Sequence, residues 1–314
     1  MKAAILDLDT LHPDDLDLSA MHTLPVTWQC FDATSPEQTM QRLKDVDVVL
    51  SNKVRIDRQH FEQHPRLRYV GVLATGTNNI DLQAARDHGV VVNNVNAYGT
   101  PSVVQHTLML MLLLAGNYKA YQQDIAEGGW SASSSFCLMQ HPMTELAGKH
   151  LVILGYGELG QGVASAAKAL GMKVTVAASL RDDADDDRLP LDVLLPEADF
   201  VSVHCLLSEK TERLFNAERF SLMKTGCFFI NTARGGLVDE SALLEALQCG
   251  HLGGAGLDVL SEEPPPEGHP LLSASLPNLI ITPHNAWATK QARQRLFDQA
   301  LAKLRDHLPT LKSI

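Results

Sequence analysis

Residues 151–162 read "LVILGYGELGQG". An apolar run of strand character ends on Gly155, and a helical stretch, "GELGQGVASAAKALG", follows. Between them, Gly155-Tyr156-Gly157-Glu158-Leu159-Gly160 has the spacing G-x-G-x-x-G. The spacing alone is a weak signal, and a plain strand-helix turn with packing glycines would also produce it. The strand before it and the helix after it give it chemical meaning. Gly155 would make the tight turn, Gly157 would let a pyrophosphate approach the backbone, and Gly160 would let the helix lie close to the strand. The diphosphate would sit on the unpaired N–H groups of the helix start.

Further strands and helices alternate outward from this loop in both directions. Downstream, "KVTVAAS", "FVSVHC", "GCFFINTA", "LGGAGLDV" and "LIITPH" read as strands, and "LDVLLPEAD" and "DESALLEALQCG" as helices. Upstream, "KAAILDL", "DVVLS", "RYVGVLA" and "GVVVNNV" read as strands, with helices at "SPEQTMQRLKD" and "IDLQAARDHG". Continuous Val/Ile/Leu runs suit strands covered on both faces, as in a parallel sheet. "TPSVVQHTLMLMLLLAGNYKAYQQDIAEGG" reads as one long helix between two such bodies. Residues 130–147 read as irregular. The terminal stretch "TKQARQRLFDQALAKLRDHL" reads as an amphipathic helix able to cross back to the first body. Two α/β domains with doubly wound parallel sheets are expected.

Composition narrows the partners. The 314 residues carry a formal charge of -11, which argues against a nucleic-acid or anionic-membrane surface. The apolar run around residues 108–115 is too short to span a bilayer, and the N-terminus lacks a signal-peptide h-region. The five scattered cysteines include no CxxC pair, so they read as reduced thiols of a cytoplasmic protein, and no metal is expected.

The glycine fingerprint usually comes with an acid at the end of the next strand, where it binds the ribose hydroxyls. Here that position is Ala178, followed by Ser179, Leu180 and Arg181. Loss of the acid removes repulsion against a 2'-phosphate, and Ser179 and Arg181 could contact one. NADPH use is the expectation, opposed by the nearby Asp182 and Asp183.

Three charged residues fall at strand ends: Arg234 in "NTARGG", Glu263 in "LDVLSEEPPP" and His284 in "ITPHNAW". Open parallel sheets bind ligands at their carboxyl edge. Hydride transfer to a ketone leaves an alkoxide that needs a proton, which a histidine can deliver near neutral pH. A carboxylate beside an imidazole fixes its tautomer, and an arginine fork can hold a substrate carboxylate. Each residue also has a structural reading: Arg234 could pair with Asp258 or Glu240, Glu263 could be a loop acid, and His284 a satisfied strand-end residue.

These blocks taken together resemble the D-isomer-specific 2-hydroxyacid dehydrogenases. "LVILGYGELGQGVASAAKALGMKV", "FINTARGGLVDESALLEAL", "GGAGLDVLSEEPP" and "LIITPHNAW" occur in the family's order, as do "VGVLATGTNNIDL" and "YGTPSVVQHTLMLMLLL" before them. Within the family the chain is most similar to glycerate dehydrogenases, also called hydroxypyruvate reductases. The resemblance implies a Rossmann-type cofactor domain over residues 99–285. It also implies a discontinuous, flavodoxin-like substrate domain over 1–98 and 286–314, with a cleft between the two domains. It further implies a homodimer acting on a small 2-keto or 2-hydroxy acid with NAD(P)H.

By the same resemblance Arg234, Glu263 and His284 form the catalytic set, with His284 as proton donor. Asn52, Lys53, Ala74, Thr75, Gly76 and Trp287 would contact substrate. The glycine loop, Thr107, Ala178, Ser179, Arg181, His204, Cys205, Leu206, Thr232, Ala233 and Asp258 would contact the cofactor. Two departures stand out: Ala178 replaces the ribose acid, and Leu206 stands where the family usually has proline. Alternatives on the same scaffold are a dehydrogenase of phosphite, formate or another keto acid, and a non-catalytic dinucleotide sensor.

Overall fold

The computed structural model describes residues 1–180 and 186–312. The chain forms two compact units, one of Met1–Gly99 with the chain from Trp287 onward, the other of Thr100–Ala286.

In the first unit five strands, β1 (Lys2–Ile5), β2 (Thr27–Cys30), β3 (Val48–Ser51), β4 (Tyr69–Val72) and β5 (Val91–Asn93), form one sheet. All pairs are parallel, in the order β2-β1-β3-β4-β5. β1, β3 and β4 are almost wholly buried, as their unbroken apolar runs demand. β2 carries mostly exposed side chains at the sheet edge, so "TWQC" has no apolar run to announce it. The helix Lys290–Lys312 returns to this sheet. Leu296, Phe297, Ala300, Leu301, Leu304 and Leu308 recur at helical spacing and pack on Ala3, Ile5, Val48, Leu50 and Tyr69. Each large side chain buried there contributes roughly 1.5–3 kcal/mol. Phe297→Ala, at the centre of the stripe, would cost about 3–5 kcal/mol.

The second unit holds β6 (His150–Leu154), β7 (Lys173–Val176), β8 (Phe200–Val203), β9 (Phe228–Asn231), β10 (Gly254–Leu257) and β11 (Leu279–Ile281). They are parallel, in the order β11-β10-β9-β8-β6-β7. The chain steps from β6 to β7 on one side, then back to β8 on the other. That reversal opens a crevice at the carboxyl ends of β6 and β8, where ligands bind in such sheets.

The long helix expected from Thr100 is two helices, Thr100–Ala115 and Tyr118–Ala126. Asn117 lies between them in the left-handed region, with φ of 47°. Gly116-Asn117 is thus a helix stop, a signal hidden inside an otherwise continuous apolar pattern. The first of the two helices packs Leu110, Met111 and Leu114 against Leu151, Ile153, Phe200 and Ile230 of the sheet.

Candidate active site

The glycine loop occupies the crevice. Gly155 has φ of 90°, and a Cβ there would lie 2.5 Å from the backbone of His204 and Cys205. The ends of β6 and β8 therefore meet at a point only glycine can occupy. A Cβ on Gly160 would lie 2.1 Å from the Gly155 carbonyl oxygen, so helix Glu158–Ala169 starts tight against the turn. Gly157 faces open space, and no side chain caps the N–H groups of the helix start behind it. A loop with open room at Gly157 and uncapped helix N–H groups fits a diphosphate. Tyr156 and Leu159 complete the turn, and Glu158 bonds Thr100 Oγ1.

Three predicted cofactor residues follow β8. His204 stays paired with β6 through its N–H to the Leu154 carbonyl (2.7 Å), and its Nε2 meets Ser202 Oγ at 2.8 Å. Its Nδ1 is buried with no hydrogen-bond partner. Burial pushes the imidazole down to about 4, so it is neutral at physiological pH. Burial likewise pushes the Cys205 thiol up to about 11. Leu206 is largely exposed.

Ala178 and Ser179 follow β7 as expected, while Arg181 lies outside the described residues, as do Asp182 and Asp183. The structure adds two groups here that sequence reading missed. Asp186 accepts the Ser179 N–H at 2.6 Å and pairs with the Arg188 guanidinium. Arg188 holds the Asp186 carboxyl well below the usual carboxylate range.

The remaining predicted cofactor and catalytic residues, Thr107 apart, sit on the loops after β9, β10 and β11. After β9, the fully buried Asn231 accepts the Ala233 N–H and donates to the Arg234 carbonyl. Arg234 then starts a 3-10 turn, Gly235–Leu237, and its side chain is exposed. A Cβ on Gly235 would collide with the Leu260 backbone at 1.9 Å, so the loops after β9 and β10 touch there. Among the described residues no carboxylate forms an ion pair with Arg234; Nη1 donates to the Ala233 carbonyl. The two acids that could have paired with it are engaged elsewhere. Glu240 takes Ser261 and His269, and Asp258 takes Thr282, Asn285 and Ala286.

After β10, Glu263 accepts the Leu260 N–H through Oε1 at 3.0 Å and meets His284 Nδ1 through Oε2 at 2.5 Å. His284, after β11, has φ of 50°, a conformation unfavourable for a side-chain-bearing residue. It is held by its N–H on the Asp258 carbonyl and by Asp258 carboxylate bonds to Asn285 N and Ala286 N. Asp258 is 1% exposed, so it acts on this turn from beneath. Thr107 and Thr232 are also buried and share a hydrogen bond of 3.1 Å between their hydroxyls. The sheet edge thus brings together Arg234, Glu263, His284, Thr232, Ala233 and Asp258.

The predicted substrate residues lie in the first unit. Asn52 and Lys53 follow β3, with their N–H groups on the buried Asp7 carboxylate after β1. These are the strand ends where that sheet reverses its order. Ala74, Thr75 and Gly76 follow β4; the Ala74 carbonyl takes the Val95 N–H, and Thr75 Oγ1 donates to the Val95 carbonyl. Trp287 stands edge-on to Tyr98, ring centroids 6.2 Å apart. The described residues contain no group of three or more potential metal ligands, and no helix long and apolar enough to cross a membrane.

Comparison with known proteins gives this geometry a context. Residues 108–286 match the profile "D-isomer specific 2-hydroxyacid dehydrogenase, NAD binding domain". A hydroxypyruvate reductase of Blautia hydrogenotrophica is 38% identical, over 98% of this chain and 97% of its own length. A glycerate dehydrogenase of Methylorubrum extorquens is 41% identical, over 84% of this chain and 83% of its own. The solved structure of a D-2-hydroxyisocaproate dehydrogenase superposes with a TM-score of 0.85 at 25% identity, covering 99% of this chain and 97% of that one. The glycine loop at the sheet's switch point and the similarity along the chain agree, and the protein belongs to the D-isomer-specific 2-hydroxyacid dehydrogenase family.

Proposed function

We propose that the protein reduces a short 2-keto acid, hydroxypyruvate or glyoxylate, to D-glycerate or glycolate. The observation that carries this reading is the Glu263–His284 pair and an arginine with no internal carboxylate partner among the described residues, carried on the loops after neighbouring strands at one sheet edge. A nicotinamide dinucleotide bound at the glycine loop supplies the hydride. His284 gives the carbonyl oxygen its proton, and Glu263 fixes the ring through Nδ1. Arg234 binds the substrate carboxylate by its fork and polarises the carbonyl. In the first unit we assign Asn52, Lys53, Ala74, Thr75, Gly76 and Trp287 to substrate contact. The substrate choice is supported by the names of the two relatives above.

NADPH serves as a hydride donor as well as NADH. The absence of an acid at Ala178 supports this. The protein is further assigned as a homodimer. Trp130, Phe136, Met139 and Met143 expose large apolar side chains within one short segment, which supports association. Light scattering tests it.

The test of function is nicotinamide oxidation with hydroxypyruvate, NADPH and NADH side by side. Turnover with hydroxypyruvate well above that with pyruvate or bulky keto acids is expected, with NADPH at least comparable to NADH. His284→Ala should lower turnover about a thousandfold with dinucleotide binding intact. No turnover on any 2-keto acid would remove the reading, and a clear NADH preference would remove the cofactor assignment.

A further inference from the structure

One face of helix Thr100–Ala115 reaches all three loops that carry the charged groups. Ser102 Oγ donates to the Ala286 carbonyl at 2.6 Å, beyond β11. Thr107 Oγ1 meets Thr232 Oγ1, beyond β9. His106, one turn after Ser102, places Nε2 2.8 Å from Thr282 Oγ1 and 3.5 Å from Asp258 Oδ1.

The hydrogen-bond directions around His106 are determined. Thr282 Oγ1 lies 2.6 Å from Asp258 Oδ1, and only the hydroxyl can supply that proton, because a carboxylate accepts. The hydroxyl is then left as the acceptor toward His106, so Nε2 must carry a hydrogen. His106 is half-buried, and burial holds its imidazole below the ordinary histidine range despite the opposing pull of the Asp258 carboxylate. The neutral ring with the proton on Nε2 completes a directed chain, His106 to Thr282 to Asp258. The Asp258 carboxylate in turn accepts from Asn285 N and Ala286 N, and its backbone carbonyl accepts from His284 N.

We propose that His106 is a positioning residue for the reaction, acting through Thr282 and Asp258 on the turn that holds His284. This rests on the assignment of His284 as proton donor. Its contacts are with Thr282 and Asp258. His106 aims the Thr282 hydroxyl at Asp258, and so keeps the carboxylate aligned with the N–H groups that hold His284 at its left-handed φ of 50°. Without that donor, the hydroxyl can rotate toward the Leu257 carbonyl, 3.4 Å away, and Asp258 loses one of its bonds.

Three variants test this. His106→Leu removes the donor and keeps bulk. His106→Gln places an amide N–H near the position of Nε2. Thr282→Val keeps shape and removes the hydroxyl. His106→Leu is expected to lower kcat for keto-acid reduction about tenfold, the scale of one hydrogen bond to a charged group, with dinucleotide KM within twofold. Gln should restore most of the loss. Thr282→Val should lower kcat as much, and the double variant no further, because both cut the same chain. Wild-type kcat in His106→Leu would overturn the proposal. So would equal impairment by Leu and Gln, or additive losses in the double variant, since packing alone would give those. If His106→Leu does not fold, Thr282→Val decides: a kcat within twofold of wild type overturns the proposal. Failure of the parent reading would show differently, as a His284→Ala protein that keeps its turnover.

Discussion

Glu263→Gln changes one oxygen of the carboxylate to an NH2 group and leaves the shape of the side chain intact. In the native protein the carboxylate accepts from two directions, Leu260 N–H at 3.0 Å and His284 Nδ1 at 2.5 Å. An amide has one acceptor and one donor end, so it can serve only one of them. The cheaper arrangement keeps Leu260 N–H on the amide oxygen and turns NH2 toward Nδ1. A neutral ring with a lone pair on Nδ1 tolerates this. A protonated ring, with hydrogen on both nitrogens, meets a donor instead of an anion. Keto-acid reduction needs the protonated ring, so it loses a charge-assisted bond of about 1.5–3 kcal/mol, roughly ten- to a hundredfold in rate. The opposite rotamer saves the histidine bond but faces the Leu260 N–H with a donor, at a similar cost. Steady-state reduction of the keto acid is the assay. The deficit should appear in kcat, with dinucleotide affinity unchanged. A Glu263→Gln enzyme within threefold of wild type would refute the reasoning, because the dyad would then have no part in proton delivery.

Arg234→Lys keeps the charge but not the fork, so kcat/KM for the keto acid should fall about a hundredfold while dinucleotide binding stays. Unchanged kcat/KM would mean that Arg234 does not hold the substrate. Gly155→Ala forces a Cβ to within 2.5 Å of backbone at φ of 90°, so dinucleotide affinity should drop at least about tenfold and the melting temperature by several degrees. Wild-type affinity measured by titration would contradict a close-packed switch point. His204 gives a pH prediction. Its folded imidazole takes a proton near about 4, against the ordinary value of 6.5. Between those values the unfolded chain binds more protons, so stability falls as pH falls, by up to about 3 kcal/mol. Denaturant titrations of wild type and His204→Leu should show a steeper acid loss in wild type; parallel curves would mean that the histidine is hydrated.

Local pattern made much of this protein legible. The glycine loop could be read because each of its glycines answers a separate steric demand, and the demands at Gly155 and Gly160 are visible as backbone contacts. Arg234 and His284 were legible because charge at the end of an apolar run is uncommon, and Glu263 because it follows another such strand. β2 was not legible: an edge strand with exposed side chains has no apolar periodicity to read. The helix break at Gly116-Asn117 was hidden because the apolar pattern runs straight up to it. Asp186 and Arg188 were missed because the pair is tied to the strand end only through the Ser179 N–H on Asp186, a backbone group that no side-chain motif marks.

Thr282 and His106 were missed for a different reason, which bears on how such sites are built. They lie 176 residues apart and meet only because helix Thr100–Ala115 packs over the carboxyl edge of the sheet. Their types are ordinary for a helix and a strand end, and nothing in either local stretch points to the other. The groups that meet a substrate are exposed and charged, so they stand out from an apolar background. The groups that aim them are buried, short and polar, and look like any satisfied interior residue. Asp258 shows the distinction. In sequence it reads as a cofactor contact at a strand end. In the structure its carboxylate takes Thr282, Asn285 and Ala286, and its carbonyl takes the N–H of His284. A carboxylate that accepts several bonds from one turn, 1% exposed, resists motion of that turn. The strained φ at His284 persists because this network over-determines it. The orientation of His284 is therefore set largely from the protein side, by residues that need not touch a substrate.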